Sequence, residues 1–172
     1  MLFNKFGVTH HDKDKATPGF TLFAPINHDK ANLLDIDGKI VHQWQLKRGG
    51  INHCMLLPNG NLFIGEGTDD GPTIPAGKGG WLREYDWDGN LLWEHVDDHQ
   101  HHDGRRLDKG GAVYIAWQLL TDAEAKMAKG GVPGTELDGK IYGEVIREVD
   151  EAGNVVWEFA NNRREFFDNY AI

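Results

Sequence analysis

Short apolar runs rich in β-branched and aromatic residues recur along the chain, and each is closed by Asp, Asn, Gly or Pro. Such runs predict strands joined by tight turns. Three segments repeat one pattern: LLDIDGKIVHQW at 33–44, EYDWDGNLLWEH at 84–95 and EVDEAGNVVWEF at 148–159. In each, a strand reaches an Asp (Asp35, Asp86, Asp150), a Gly follows three residues later (Gly38, Gly89, Gly153), and a second strand begins. The Asp side chain accepts from the turn's own amides, and Gly takes the positive φ that the hairpin requires. A calcium loop is the competing reading of DIDGK and DWDGN, but the further ligands and closing Glu of an EF-hand are missing.

A second repeated unit precedes the later hairpins. NHCMLLPNGNLFIGEG at 52–67 aligns with HHDGRRLDKGGAVYIAW at 101–117, with Leu57 matching Leu107 and Gly60 matching Gly110. Joined to the hairpins, these make units of four antiparallel strands, and the spacing is that of β-propeller blades. The expected fold is all-β: a single domain over 1–172, a partial propeller of about three blades near 19–50, 51–98 and 99–160. One helix interrupts the third unit at TDAEAKMAKG, 121–130, where Thr121 and Glu124 form a capping box.

Composition narrows the partners. With 27 acidic and 18 basic residues the net charge is −9, which argues against nucleic acid and anionic membranes as partners. No run approaches the roughly 18 apolar residues of a membrane-spanning helix, and the first twenty residues lack a signal-peptide core, so a cytoplasmic location is the default expectation. Cys54, the single cysteine, excludes an internal disulfide and reads as a small buried hydrophobe.

The densest chemistry is DDHQHHDG at 97–104. In a propeller the first strand of a blade lines the central channel, which places His102 and Asp103 of the third unit, and Asn52 and His53 of the second, toward the axis. Alternation along a strand sends adjacent His101 and His102 to opposite sides, and lets only one of Arg105 and Arg106 reach the channel. A metal site and a solvated acidic turn are the alternatives for this run, with Asp97 and Asp98 expected to keep the turn wet; the histidine spacing suits one ion poorly. Trp117, on the strand leaving the His102 turn, is a candidate substrate wall, whereas Trp93 and Trp157 share a repeat position and are expected to pack between blades. GPTIPAGKGG at 71–80 resembles a P-loop superficially and is read as a loop between strands, because its spacing is wrong and Gly79 follows Lys78.

In their order along the chain, PGFTLFAP, ANLLDIDGKIVHQW, LLPNGNLF, GKGGWLREYDWDGNLLWE, HHDGRRL, GGVPGTELDGKIYGEVIREVD and GNVVWEF resemble the arylsulfotransferase family. The resemblance implies a six-bladed propeller that moves a sulfuryl group from an aryl sulfate to a phenol through a covalent sulfohistidine, without a cofactor. It implies His102 and Asp103 as the pair opening an active-site strand. Placement at the strand starts, not the resemblance, adds His53 as a further catalytic candidate and Asn52, His101, Arg105 and Trp117 as candidate substrate contacts. Family members of this type continue for about as many residues again and carry the acceptor histidine there, so the chain is similar to the N-terminal half. Its expected partners are therefore aryl sulfate and phenol together with a second copy or a complementary half. A non-catalytic half-propeller that serves binding and assembly is the alternative.

Overall fold

The computed structural model describes residues 7–73, 77–128 and 139–160. Eleven strands and one short helix follow in order: β1 (Thr21–Phe23), β2 (Lys30–Leu34), β3 (Ile40–Gln45), β4 (Gly50–Leu56), β5 (Leu62–Gly67), β6 (Gly80–Tyr85), β7 (Leu91–Val96), β8 (Gln100–Arg106), β9 (Ala112–Leu119), α1 (Asp122–Ala125), β10 (Tyr142–Val149) and β11 (Val155–Ala160). They form three antiparallel sheets of consecutive strands, β1–β3, β4–β7 and β8–β11. The protein is all-β, as the repeats predict, and sheet boundaries fall where the repeated units divide.

Turn chemistry makes the hairpins. Asp86 Oδ1 accepts from the Asn90 amide at 2.8 Å, Asp150 Oδ1 from Asn154 at 2.8 Å and Asp35 Oδ1 from Lys39 at 2.9 Å. The three glycines of these turns all adopt positive φ. The second repeated unit is equally regular: the Leu57 and Leu107 amides donate to Asn61 and Gly111, and the Gly60 and Gly110 amides donate back to Leu57 and Leu107. Thr121 and Glu124 make both bonds of the expected capping box, and α1 lies between β9 and β10. The helix is shorter than the expected 121–130: it ends at Ala125 with Lys126 as its C-cap, and residues 126–128 are not helical. Gly130, where it was expected to end, lies outside the described residues.

The sheets pack face to face in chain order. Ala31, Leu33, Trp44 and Leu46 of the first sheet and its connection to β4 bury against Leu62, Ile64 and Tyr85 of the second. The opposite face of the second sheet presents Phe63, Leu82 and Trp93 to Ala112, Tyr114, Ala116, Val145 and Val149 of the third. Strand β5 thus sends alternate side chains into two different cores, and its residues Leu62 to Glu66 are buried without a break. The one carboxylate in that run is fully compensated: Glu66 takes Arg83 Nη1 at 3.0 Å, the Tyr85 hydroxyl at 2.6 Å and the Arg48 amide at 2.6 Å. Cys54 packs at the edge of the first of these cores, and burial raises its thiol pKa.

Hairpin turns also reach between sheets. The Trp44 indole donates to the Asp86 carbonyl at 2.9 Å, and His42 stacks on Trp87 of the same turn at 3.9 Å. One sheet further on, the Trp93 indole donates to the Glu151 carbonyl at 2.9 Å, with the Arg106 guanidinium 4.3 Å over its ring.

Candidate functional site

Strands β4 and β8 open the second and third sheets, and both are interrupted at the same place in the repeat. In β8 the pairing with β9 passes from His101 opposite Ile115 to Gly104 opposite Tyr114, so His102 and Asp103 are looped out of the ladder. In β4 it passes from Gly50 opposite Glu66 to Cys54 opposite Ile64, which loops out two residues of the stretch 51–53. Two-residue bulges of this kind turn the strand and re-aim its side chains. Cys54 and Gly104, where the ladders resume, are matched positions of the repeat.

The bulges meet. His53 Nδ1 lies 3.1 Å from the His102 carbonyl. A carbonyl only accepts, so Nδ1 of His53 carries the proton and Nε2 is left with the lone pair in the neutral ring. Burial lowers the pKa of His53 against the opposing pull of the His102 carbonyl and Asp103, which keeps the ring neutral near pH 7. Its Nε2 is buried and has no partner among the described residues.

His102 holds φ at +53°, one of two non-glycine residues with positive φ among those described. This departure from strand geometry overturns the alternation expected of His101 and His102: instead of pointing apart, their Nδ1 atoms face each other at 2.8 Å. One of the two must carry a proton. His101 is 2 % exposed and stacks on Trp117, ring centroids 4.4 Å apart. Burial, with His102 beside it, brings its pKa down to about 4. His102 itself is exposed.

A loop absent from the candidate residues completes the arrangement. The His102 amide donates to the Gly77 carbonyl at 2.8 Å and the Gly79 amide to the Gln100 carbonyl at 3.0 Å, so residues 77–79 run alongside β8. Gly77 sits against the His102 imidazole at φ +71°, where a side chain would enter the ring. This is the stretch whose glycines resemble a P-loop; residues 74–76 within it lie outside the described residues. Buried Gln100 braces the same corner, accepting from the Gly80 amide at 2.9 Å and donating to the His101 carbonyl at 3.1 Å. Gly77 had one signal, the glycine richness of 71–80, and Gln100 stands inside DDHQHHDG without matching a motif of its own.

The remaining candidates take distinct places. Asp103 is exposed and caps the bulge by accepting from the Gly104 amide at 2.8 Å. Arg105 is exposed with a guanidinium nitrogen 3.6 Å from the Met55 sulfur, whereas Arg106 turns into the sheet interface toward Glu84 and Glu151. Asp103 and Arg105 rim a hollow of about 140 Å³ whose floor is Val113, Ile115 and Ile146. Trp117 is 6 % exposed and serves as the platform under His101. Asn52 belongs to β4, and its side chain lies outside the described residues. His99 donates through Nδ1 to the Trp117 carbonyl at 2.8 Å.

Asp97 is not a solvated turn residue. Its carboxylate accepts from the Tyr114 hydroxyl at 3.0 Å, Arg147 Nη1 at 2.7 Å and the His99 amide at 3.0 Å. Burial works to raise its pKa, but the His99 amide and Arg147 outweigh it and the pKa is lowered. Asp98 accepts from the Thr68 hydroxyl at 3.2 Å. Among the described residues no cluster of three or more His, Cys, Asp or Glu is arranged to hold a metal ion. No helix among them is long and apolar enough to cross a membrane.

No protein-family model and no curated protein matches this chain.

Proposed function

We propose that the three sheets are blades of a β-propeller and that the bulges of β4 and β8 form part of a site for sulfuryl transfer from an aryl sulfate to a phenol. The observation that carries this reading is the convergence of His53, His101 and His102 from two strand starts at matched repeat positions. Moving a sulfuryl group forms a bond from sulfur to an acceptor, a histidine nitrogen and then the phenol oxygen, as the bond from sulfur to the aryl oxygen breaks, and the negative charge left on the departing oxygen can be met by a proton from a positioned imidazole. His102 suits that role. Its Nδ1 faces the Nδ1 of a neutral His101, so the proton between them decides whether Nε2 of His102 donates or accepts. Arg105, exposed just past the bulge, adds a cation for the sulfate oxygens.

His102→Ala should lower turnover of a nitrophenyl sulfate by roughly a hundredfold while the far-ultraviolet circular dichroism is unchanged. Mass spectrometry of the intact protein after exposure to the donor reports a sulfuryl adduct on histidine. Wild-type protein in its native assembly that shows neither phenol release nor adduct leaves the second reading, a half-propeller acting as a binding and assembly module. One observation favours that alternative: the outer face of the third sheet exposes Ile146 and Trp157.

A further inference from the structure

The repeat aligns His42, Trp93 and Trp157 at one position and Ile36, Trp87 and Glu151 at another. Twice within the molecule the ring at the first position meets the turn residue of the next sheet at the second: His42 stacks on Trp87 at 3.9 Å, and the Trp93 indole donates to the Glu151 carbonyl at 2.9 Å. The third ring, Trp157, is 49 % exposed and meets no following turn among the described residues. The first turn residue, Ile36, is 37 % exposed and meets no preceding ring among the described residues.

The faces behind these two residues match in the same sense. Paired positions on β10 and β11 put Ile146, Trp157 and Phe159 on one side of the third sheet, the side away from the second. Their counterparts in the second sheet, Leu82, Trp93 and His95, are the surface that meets the third. On the first sheet, Phe23 and Ile40 correspond to Ile64 and Leu91, which pack against the preceding sheet, yet Phe23 is 40 % and Ile40 51 % exposed. Each end of the stack therefore presents one half of an interface that the protein already makes twice.

We infer that the outer face of the third sheet docks the first sheet of a second copy of this chain, head to tail, with Trp157 seated on the Asp35–Lys39 turn at Ile36. Such a contact is heterologous: it closes into a ring when the rotation between sheets permits and extends into a filament when it does not. Val8 now covers Gly38 of that turn, as His95 covers Gly153 in the internal interface, and His11 approaches Asp37 at 3.6 Å. Residues 7–16 thus compete with the incoming face. The inference is independent of any chemistry at the histidines.

Sedimentation velocity across the micromolar range tests it with two exposed-site variants, Trp157→Asp and Ile36→Asp. Wild-type protein should self-associate, and each variant alone should do so at least about tenfold more weakly, the size of a central interface contact. Mixing the two variants should restore association, because each retains the surface that the other has lost. Removal of residues 1–16 should strengthen wild-type association. A wild-type protein that stays monomeric with and without residues 1–16 overturns the inference. So does an Ile36→Asp variant that associates as wild type, since that marks a symmetric contact through Trp157 alone.

Discussion

His102 pays for its position in backbone conformation. A non-glycine residue at φ +53° carries about 1–3 kcal/mol of strain, and such strain is retained where surrounding contacts over-determine it. Here the Gly77 carbonyl holds the amide and His101 holds the ring. Gly77→Ala adds a methyl group into that imidazole at a φ that alanine resists, so it should cost about 1–3 kcal/mol in denaturant unfolding and shift the His102 ring resonances. Unchanged stability together with unchanged resonances would remove Gly77 from the site. His101 makes a pH prediction. Its folded pKa of about 4 lies below the ordinary histidine value of 6.5, so between the two the unfolded chain binds more protons than the folded one. Stability should therefore fall as pH drops from 6.5 to 4 and level off below, losing at most about 3 kcal/mol from this group. The same titration on His101→Gln should show a flatter acid limb, and an unaltered limb would place the dependence elsewhere.

At the scale of strands and turns, Asp97 joins pieces distant in sequence: Tyr114 on β9, Arg147 on β10 and, through Arg147, Glu158 on β11. Removing it takes away one of the two carboxylates that hold Arg147 and leaves the Tyr114 hydroxyl with His95 Nε2 at 3.1 Å. Asp97→Ala should accordingly cost about 3 kcal/mol, in the range of breaking a buried ion pair, while Asp98→Ala, which loses one hydroxyl contact, should cost less than about 1 kcal/mol. Equal effects in urea melts would mean that both are surface turn residues. The contrast shows where sequence reading stops. The hairpins at Asp35, Asp86 and Asp150 were legible because an Asp and a Gly three residues apart complete their hydrogen bonds within the turn. The ionic partner of Asp97, Arg147, lies 50 residues away. Likewise, His101 and His102 obey alternation only in a continuous ladder, and the bulge that breaks it is set by the β9 register and by residues 77–79. Candidate residues could be picked out by type, but their relative directions depended on contacts that no local pattern encodes.

Among the described residues the sheets form a stack in which only the middle one is covered on both sides. Its strands β5 and β6 have hydrogen-bonded neighbours on both edges, whereas β11 is the last strand of its sheet and exposes Val155, Val156 and Trp157. Amide exchange follows the least costly opening that frees each hydrogen bond, and an edge strand with one covered face can detach without disturbing the two cores. Exchange at low protein concentration should therefore be slowest in β5 and β6, intermediate in β9 and β10, and fastest in β1 and β11. Raising the concentration into the associating range should slow β11 and the 35–39 turn together while leaving β5 and β6 as they were. Hydrogen–deuterium exchange read by mass spectrometry resolves these segments. Protection in β11 equal to that in β5 at the lowest concentration would mean that the stack unfolds as one cooperative unit, and that its outer face is already covered without a second copy.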